Sequence, residues 1–93
     1  MPNPTLHVRI ISPQQLILDV EANSVSSKNT MGNFDILPQH ANFITLVENS
    51  PILVRPATAG QKPQTFKFPL AIIVTMENKV NIYTYIQPQT KFR

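Results

Sequence analysis

Met31-Gly32-Asn33-Phe34-Asp35-Ile36-Leu37-Pro38-Gln39-His40-Ala41 runs from a glycine turn through a short apolar strand to a proline stop. Gly32 permits the positive φ that a tight turn demands. Phe34, Ile36 and Leu37 supply side chains to bury, and Pro38 ends the strand because it has no N–H to give to a ladder. Outward from this stretch the same grammar repeats. Leu6, Val8 and Ile10, then Leu16, Leu18 and Val20, then Ile52 and Val54, then Val80, Ile82 and Ile86 place apolar residues at every second position, the period of a half-buried strand. Ser12-Pro13-Gln14 separates the first two strands, Ala59-Gly60-Gln61-Lys62 turns between the strand near Ile52 and the one near Phe66, and Glu77-Asn78-Lys79 closes a last hairpin. Nine prolines leave hardly a window for a helix. The expectation is an all-β chain, a sandwich or a barrel.

Ninety-three residues make one domain, 1–93, with strands within 5–86 and a tail over 87–93. Apolar residues make up 42% of the chain against 14% charged, enough for a core and far from a disordered composition. Cysteine is absent, which removes disulfides, thiolate nucleophiles and cysteine-ligated zinc. The longest apolar run, Leu70 to Val74, falls far short of the ~20 residues that cross a bilayer. Eight basic residues exceed five acids for a net charge of +3, but they are dispersed singly and form no basic cluster in sequence.

Catalysis needs a nucleophile, a base and an orienting group that converge. The only candidates are Asp35 and His40, on either side of the Pro38 bend, with scattered serines, and their spacing matches no recognised dyad or metal motif. Phe66 and Phe68 around Lys67, and Tyr83 with Tyr85, could stack bases on a β-surface, so a β-barrel single-stranded nucleic-acid-binding module is the alternative reading. Against it stands the lack of clustered charge to hold phosphates.

Together, the Gly32 to His40 stretch, Val8-Arg9-Ile10-Ile11-Ser12-Pro13, Ala22-Asn23-Ser24-Val25-Ser26 and Asn78-Lys79-Val80-Asn81-Ile82 resemble, in order and over residues 6 to 86, the N-terminal domain of the epsilon subunit of F-type ATP synthases. That family carries a Gly-x-x-Gly-Ile-Leu-Pro-x-His pattern at the place of Gly32 to His40. Here Asp35 stands at the second glycine, Leu70-Ala71 at a later Gly-Gly pair and Val74 at a later carboxylate. The family's domain is a two-sheet antiparallel β-sandwich, for which about eight to ten short strands are expected here. After the last strand only Gln87 to Arg93 remain, too few for the family's C-terminal hairpin of two helices of ~11 residues each.

The resemblance implies a non-catalytic central-stalk rotor subunit of a proton- or sodium-translocating F-type ATP synthase, coupling the membrane rotor ring to the gamma subunit without the inhibitory hairpin. Met31, Gly32, Asn33 and Phe34 would face the ring of c subunits, and Ser12, His40 and Thr45 the gamma subunit. Phe34 fits a core role as well, and His40 could instead hold a loop carbonyl. The family further implies no cofactor, no metal, no nucleic acid and no membrane insertion. The chain would be a monomer within a hetero-oligomeric complex, peripheral at the cytoplasmic face of a bacterial plasma membrane.

Overall fold

The computed structural model describes residues 4–85, so Ile86 and the expected tail lie outside the described residues. Eight strands follow one another: β1 (Leu6–Ile11), β2 (Leu16–Asn29), β3 (Gly32–Ile36), β4 (Phe43–Val47), β5 (Pro51–Pro56), β6 (Gln64–Lys67), β7 (Ala71–Met76) and β8 (Lys79–Thr84). The alternation read from sequence is borne out in β1, β5 and β8. Leu6, Val8, Ile10, Ile52, Val54, Val80 and Ile82 are all fully buried. Each contributes roughly 1.5–3 kcal/mol by leaving water.

Hydrogen bonding is continuous in the order β4-β7-β8-β1-β2-β5-β6, with β3 added to β2. This sheet curls over one core, so the sandwich is two layers of a single ladder. β2 makes that possible. Its 14 residues exceed the short strand expected, because the first half pairs with β1 and the second with β3 and β5. A bulge at Asn23, where Ala22 pairs Pro56 and Ser24 already pairs Arg55, bends it from one layer to the other. The ladder is antiparallel except at its centre, where β1 and β8 run parallel. These are the first and last strands, so no tight hairpin dictates their direction.

A second bulge corrects one expectation. Ile10 pairs Leu18 but Ile11 pairs Leu16, which leaves Ile17 extra. That one-residue slip turns Leu16 out while Leu18 and Val20 still pack on the core. The turns are placed as read. Glu77 and Asn78 form a two-residue hairpin with φ of 50° and 63°, the left-handed pair whose twist matches the flanking strands. The Asn78 Oδ1 also accepts from the Gln39 N–H at 2.6 Å, tying that hairpin to the loop before β4.

Candidate interaction surfaces

The two layers present contrasting outer faces. On β7 the inner face takes Ala71, Ile73 and Thr75, so Ile72, Val74 and Met76 point away from the core. The same parity on β4 turns Ile44 and Leu46 outward, at 72% and 55% exposure. Registers then align a row across five strands: Leu46 with Ile72, Ile72 with Tyr83, Tyr83 with Ile11, and Ile11 with Leu16. Ile72, Tyr83 and Leu16 are 39%, 43% and 49% exposed. At strand spacings of ~4.8 Å the row runs about 20 Å without a charge. Leu70 and Tyr85 widen it beside β7 and β8, where they line a shallow depression with Ile72 and Tyr83. A contiguous apolar surface of this kind marks an interaction site.

Toward the other end of the strands the same face turns polar on β8, β1 and β2, while Ile44, Val74 and Met76 keep it apolar on β4 and β7. His7 Nε2 lies 2.5 Å from Asp19 Oδ1, and the Thr5 hydroxyl donates to Glu21 Oε1 at 2.6 Å. These pairs are exposed and add little stability. Their effect is to leave the apolar row with one defined border.

The outer face of β3-β2-β5 carries a polar network beside Pro51 and Leu53. The Arg55 Nη1 donates to Ser24 Oγ and Ser26 Oγ at 3.2 and 3.1 Å, and Ser26 Oγ donates to Asp35 Oδ1 at 2.5 Å. Asp35, at the expected second glycine, thus joins three strands through side chains.

The sequence-derived site residues separate into distinct places. Met31 and Gly32 lie at the tip of the β2–β3 hairpin, where Met31 is 92% exposed and Gly32 takes φ 120°. The Asn29 Oδ1 accepts from the Met31 N–H at 2.8 Å and shapes that tip. Asn33 is exposed beside it, whereas Phe34 is half-buried, its ring 5.4 Å edge-on from Phe43. Ser12 is buried, its hydroxyl closing the turn to Gln15. Thr45 points inward and accepts from the Asn29 amide at 2.8 Å. His40 packs edge-on against Phe43 and donates from Nδ1 to the Ala41 carbonyl at 2.8 Å.

Asp35 and His40 therefore spend their polar atoms on separate partners. No group of three His, Cys, Asp or Glu suited to a metal occurs among the described residues. The base-stacking alternative loses one of its platforms. Phe66 and Phe68 stack on each other at 6.3 Å and pack on the core, leaving only Tyr83 and Tyr85 outward. No helix among the described residues is long and apolar enough to cross a membrane.

Sequence reasoning missed the five-strand row. Its signal was present in Leu70 to Met76 and Phe43 to Val47, which are apolar at adjacent as well as alternate positions. Such a strand is apolar on both faces.

Comparison with known proteins gives one consistent answer. The family described as ATP synthase, Delta/Epsilon chain, beta-sandwich domain matches residues 5–85. The chloroplastic ATP synthase epsilon chain of Nephroselmis olivacea is 33% identical over 57 residues, covering 61% of this chain and 43% of that one. The ATP synthase epsilon chain of a Nostoc species is 39% identical over 51 residues, 55% of this chain and 37% of the relative. The chain thus spans about two fifths of the length of these relatives. Among solved structures, a chain in the Euglena gracilis mitochondrial ATP synthase (OSCP/F1/c-ring) superposes with TM-score 0.78 at 13% identity, covering 88% of this chain and 51% of that one. A chain in the Tetrahymena thermophila mitochondrial ATP synthase central stalk and c-ring gives TM-score 0.72 at 12% identity, covering 87% and 63%. At such identities the likeness is one of fold.

Proposed function

The chain belongs to the ATP synthase delta/epsilon family through its β-sandwich domain, and from that premise we propose that it serves as a central-stalk subunit fastening the membrane rotor ring to the gamma subunit. The observation that carries the reading is the uncharged row Leu46-Ile72-Tyr83-Ile11-Leu16. A small domain gains nothing by holding such a surface in water, and a permanent partner that covers it removes the cost. In this reading gamma seats on the row. Ser12 borders it next to Ile11, Thr45 stiffens β4 from behind, and His40 orders the approach to that strand through Phe43. Met31, Gly32 and Asn33 meet the polar loops of the c subunits, with Phe34 anchoring the hairpin from the core side.

The role is mechanical. Torque from the ring reaches gamma only if the connecting body does not yield, and a ladder unbroken over eight strands supplies that stiffness. In this reading no nucleophile or cofactor takes part. The subunit sits peripherally at the cytoplasmic face of a bacterial plasma membrane, without insertion.

Co-expression with gamma from the same genome tests this. Wild type should elute with gamma at one to one, a combined Ile72→Glu and Tyr83→Glu variant should weaken the complex at least tenfold, and Met31→Glu should leave gamma binding intact while lowering attachment to the ring. A folded chain that elutes apart from gamma overturns the reading.

A further inference from the structure

Among the described residues four edges lack a strand partner: β4 and β6 end the ladder, β3 pairs with β2 alone, and the first half of β2, Leu16 to Glu21, pairs on one side only, with β1. A bare edge invites another strand, and proteins blunt it with charge, proline, bulges or brevity. Three of the four are blunted. The first half of β2 displays Asp19 and Glu21 and bulges at Ile17. β3 opens at Gly32, displays Asn33 and Asp35, and runs into Pro38. β6 has only four residues, displays Lys67 and lies between Pro63 and Pro69. β4 has none of these devices. Phe43-Ile44-Thr45-Leu46-Val47 contains no charge, glycine or proline, and it pairs with β7 through five positions without a bulge. Such a segment is the kind that adds to another strand.

The sequence of β4 also indicates what it accepts. Antiparallel partners share a face, so only registers that match outward with outward residues are allowed. A two-fold axis at Thr45 places Ile44 opposite Leu46 of the second copy, Phe43 opposite its Val47 and Thr45 opposite its Thr45. The flanking Asn42 then faces Glu48, an amide that can donate to a carboxylate. A slip of two residues in one direction sets Glu48 against Ile44, and in the other sets Asn42 against Leu46. The strand is its own best complement in one register.

We propose that the free chain forms a two-fold dimer through antiparallel pairing of β4 with β4, centred on Thr45. The joined ladder makes the β4-β7-β8-β1-β2 layers of both copies one sheet, and Leu46 and Ile72 of each bring the two apolar rows into contact across the axis. An interface built on one short edge falls below the ~1,200 Å² of stable complexes, so dissociation is expected on the order of 100 μM. The inference draws on the edge alone and stands apart from the rotor reading.

Sedimentation equilibrium between about 10 μM and 1 mM, a range that brackets the expected midpoint, reads the outcome. The wild-type mass should climb from 10.5 kDa toward twice that value. Ile44→Lys and Leu46→Glu should each hold the chain monomeric over the range. The double variant should dimerise again, because the introduced ammonium at 44 faces the introduced carboxylate at 46 of the second copy, once on each side of the axis. Unchanged circular dichroism certifies the fold of each variant. Wild type monomeric throughout overturns the proposal. So does association that the double variant fails to restore, which would mean stacking of the apolar rows. Loss of gamma binding in Ile72→Glu and Tyr83→Glu with the dimer retained keeps the two readings apart.

Discussion

Thr75 and Thr84 are both buried on the inner face of the same pair of strands, yet their hydroxyls differ in circumstance. Thr84 Oγ1 donates to the Leu70 carbonyl at 2.9 Å. Thr75 Oγ1, on a residue 1% exposed, has no partner among the described residues. A buried hydroxyl without a hydrogen bond costs roughly 1–3 kcal/mol. Thr75→Val removes that cost, keeps a β-branched side chain whose χ1 is already restricted, and adds a methyl worth up to about 0.8 kcal/mol. The net expectation is a gain of about 1–2 kcal/mol. At about 4–8 °C per kcal/mol for a domain of this size, Tm rises by roughly 4–16 °C. Thr84→Val should move the other way by about 1 kcal/mol, since it strips a donor from a part-buried carbonyl. Urea unfolding read by circular dichroism gives both numbers, with unchanged m as evidence that only stability has moved. Thr75→Val at or below wild-type stability, with m preserved, would refute the assignment of an unsatisfied hydroxyl.

Four further substitutions probe the turns and the core. Gly32→Ala should cost about 1–2 kcal/mol although nothing lies within 4 Å of the added Cβ, because φ of 120° is itself strained for an L-residue; thermal unfolding checks this. Asn78→Ala should lose about 1–2 kcal/mol by forfeiting both a residue tolerant of φ 63° and the acceptor for Gln39 N–H, whereas Glu77→Asn should gain roughly 0.5 kcal/mol from better turn chemistry alone. Ile82→Ala, at the centre of the fully buried set, should cost about 2–5 kcal/mol, a large share of the total stability, and chemical denaturation will show it as a lowered midpoint.

Local chemistry made much of this fold legible. The alternation of Leu6, Val8 and Ile10, the prolines, and the Glu77-Asn78 turn are signals contained within a few residues, and each led to the observed element. What stayed hidden depends on distant partners. Nothing near Ile17 reveals that it will bulge against β1, so Leu16 reads as core and ends outside. β4 is hydrophobic on both parities, and its sequence alone does not say whether Thr45 or Leu46 faces the core; only its register with β7 decides. The hairpin tip at Met31 was readable because Gly32 announces it. The inward turn of the Thr45 and Ser12 side chains had no local signal, because each depends on a partner, Asn29 for Thr45 and the turn to Gln15 for Ser12.

The distribution of apolar residues between the two layers has a consequence for how the domain works. β7 is hydrophobic on both sides, a pattern suited to a strand with a layer packed over each face. Among the described residues only the inner side is covered, by β3, β5 and the second half of β2 through Ile36, Ile52, Val54 and Val25. The sheet that bears Ile72 and Tyr83 thus has an apolar outer face that a further layer could cover, and the proposed reading assigns that layer to gamma. The outer face of β3-β2-β5, tied by Arg55, Ser26 and Asp35, closes the stack toward water. A binder of this design stabilises itself on docking, because a partner that recognises only the folded state adds its own free energy of association to folding. Gamma or a second copy should therefore raise the unfolding temperature in proportion to its concentration, and the edge and the row can be told apart by which of Ile44→Lys and Ile72→Glu abolishes the increase.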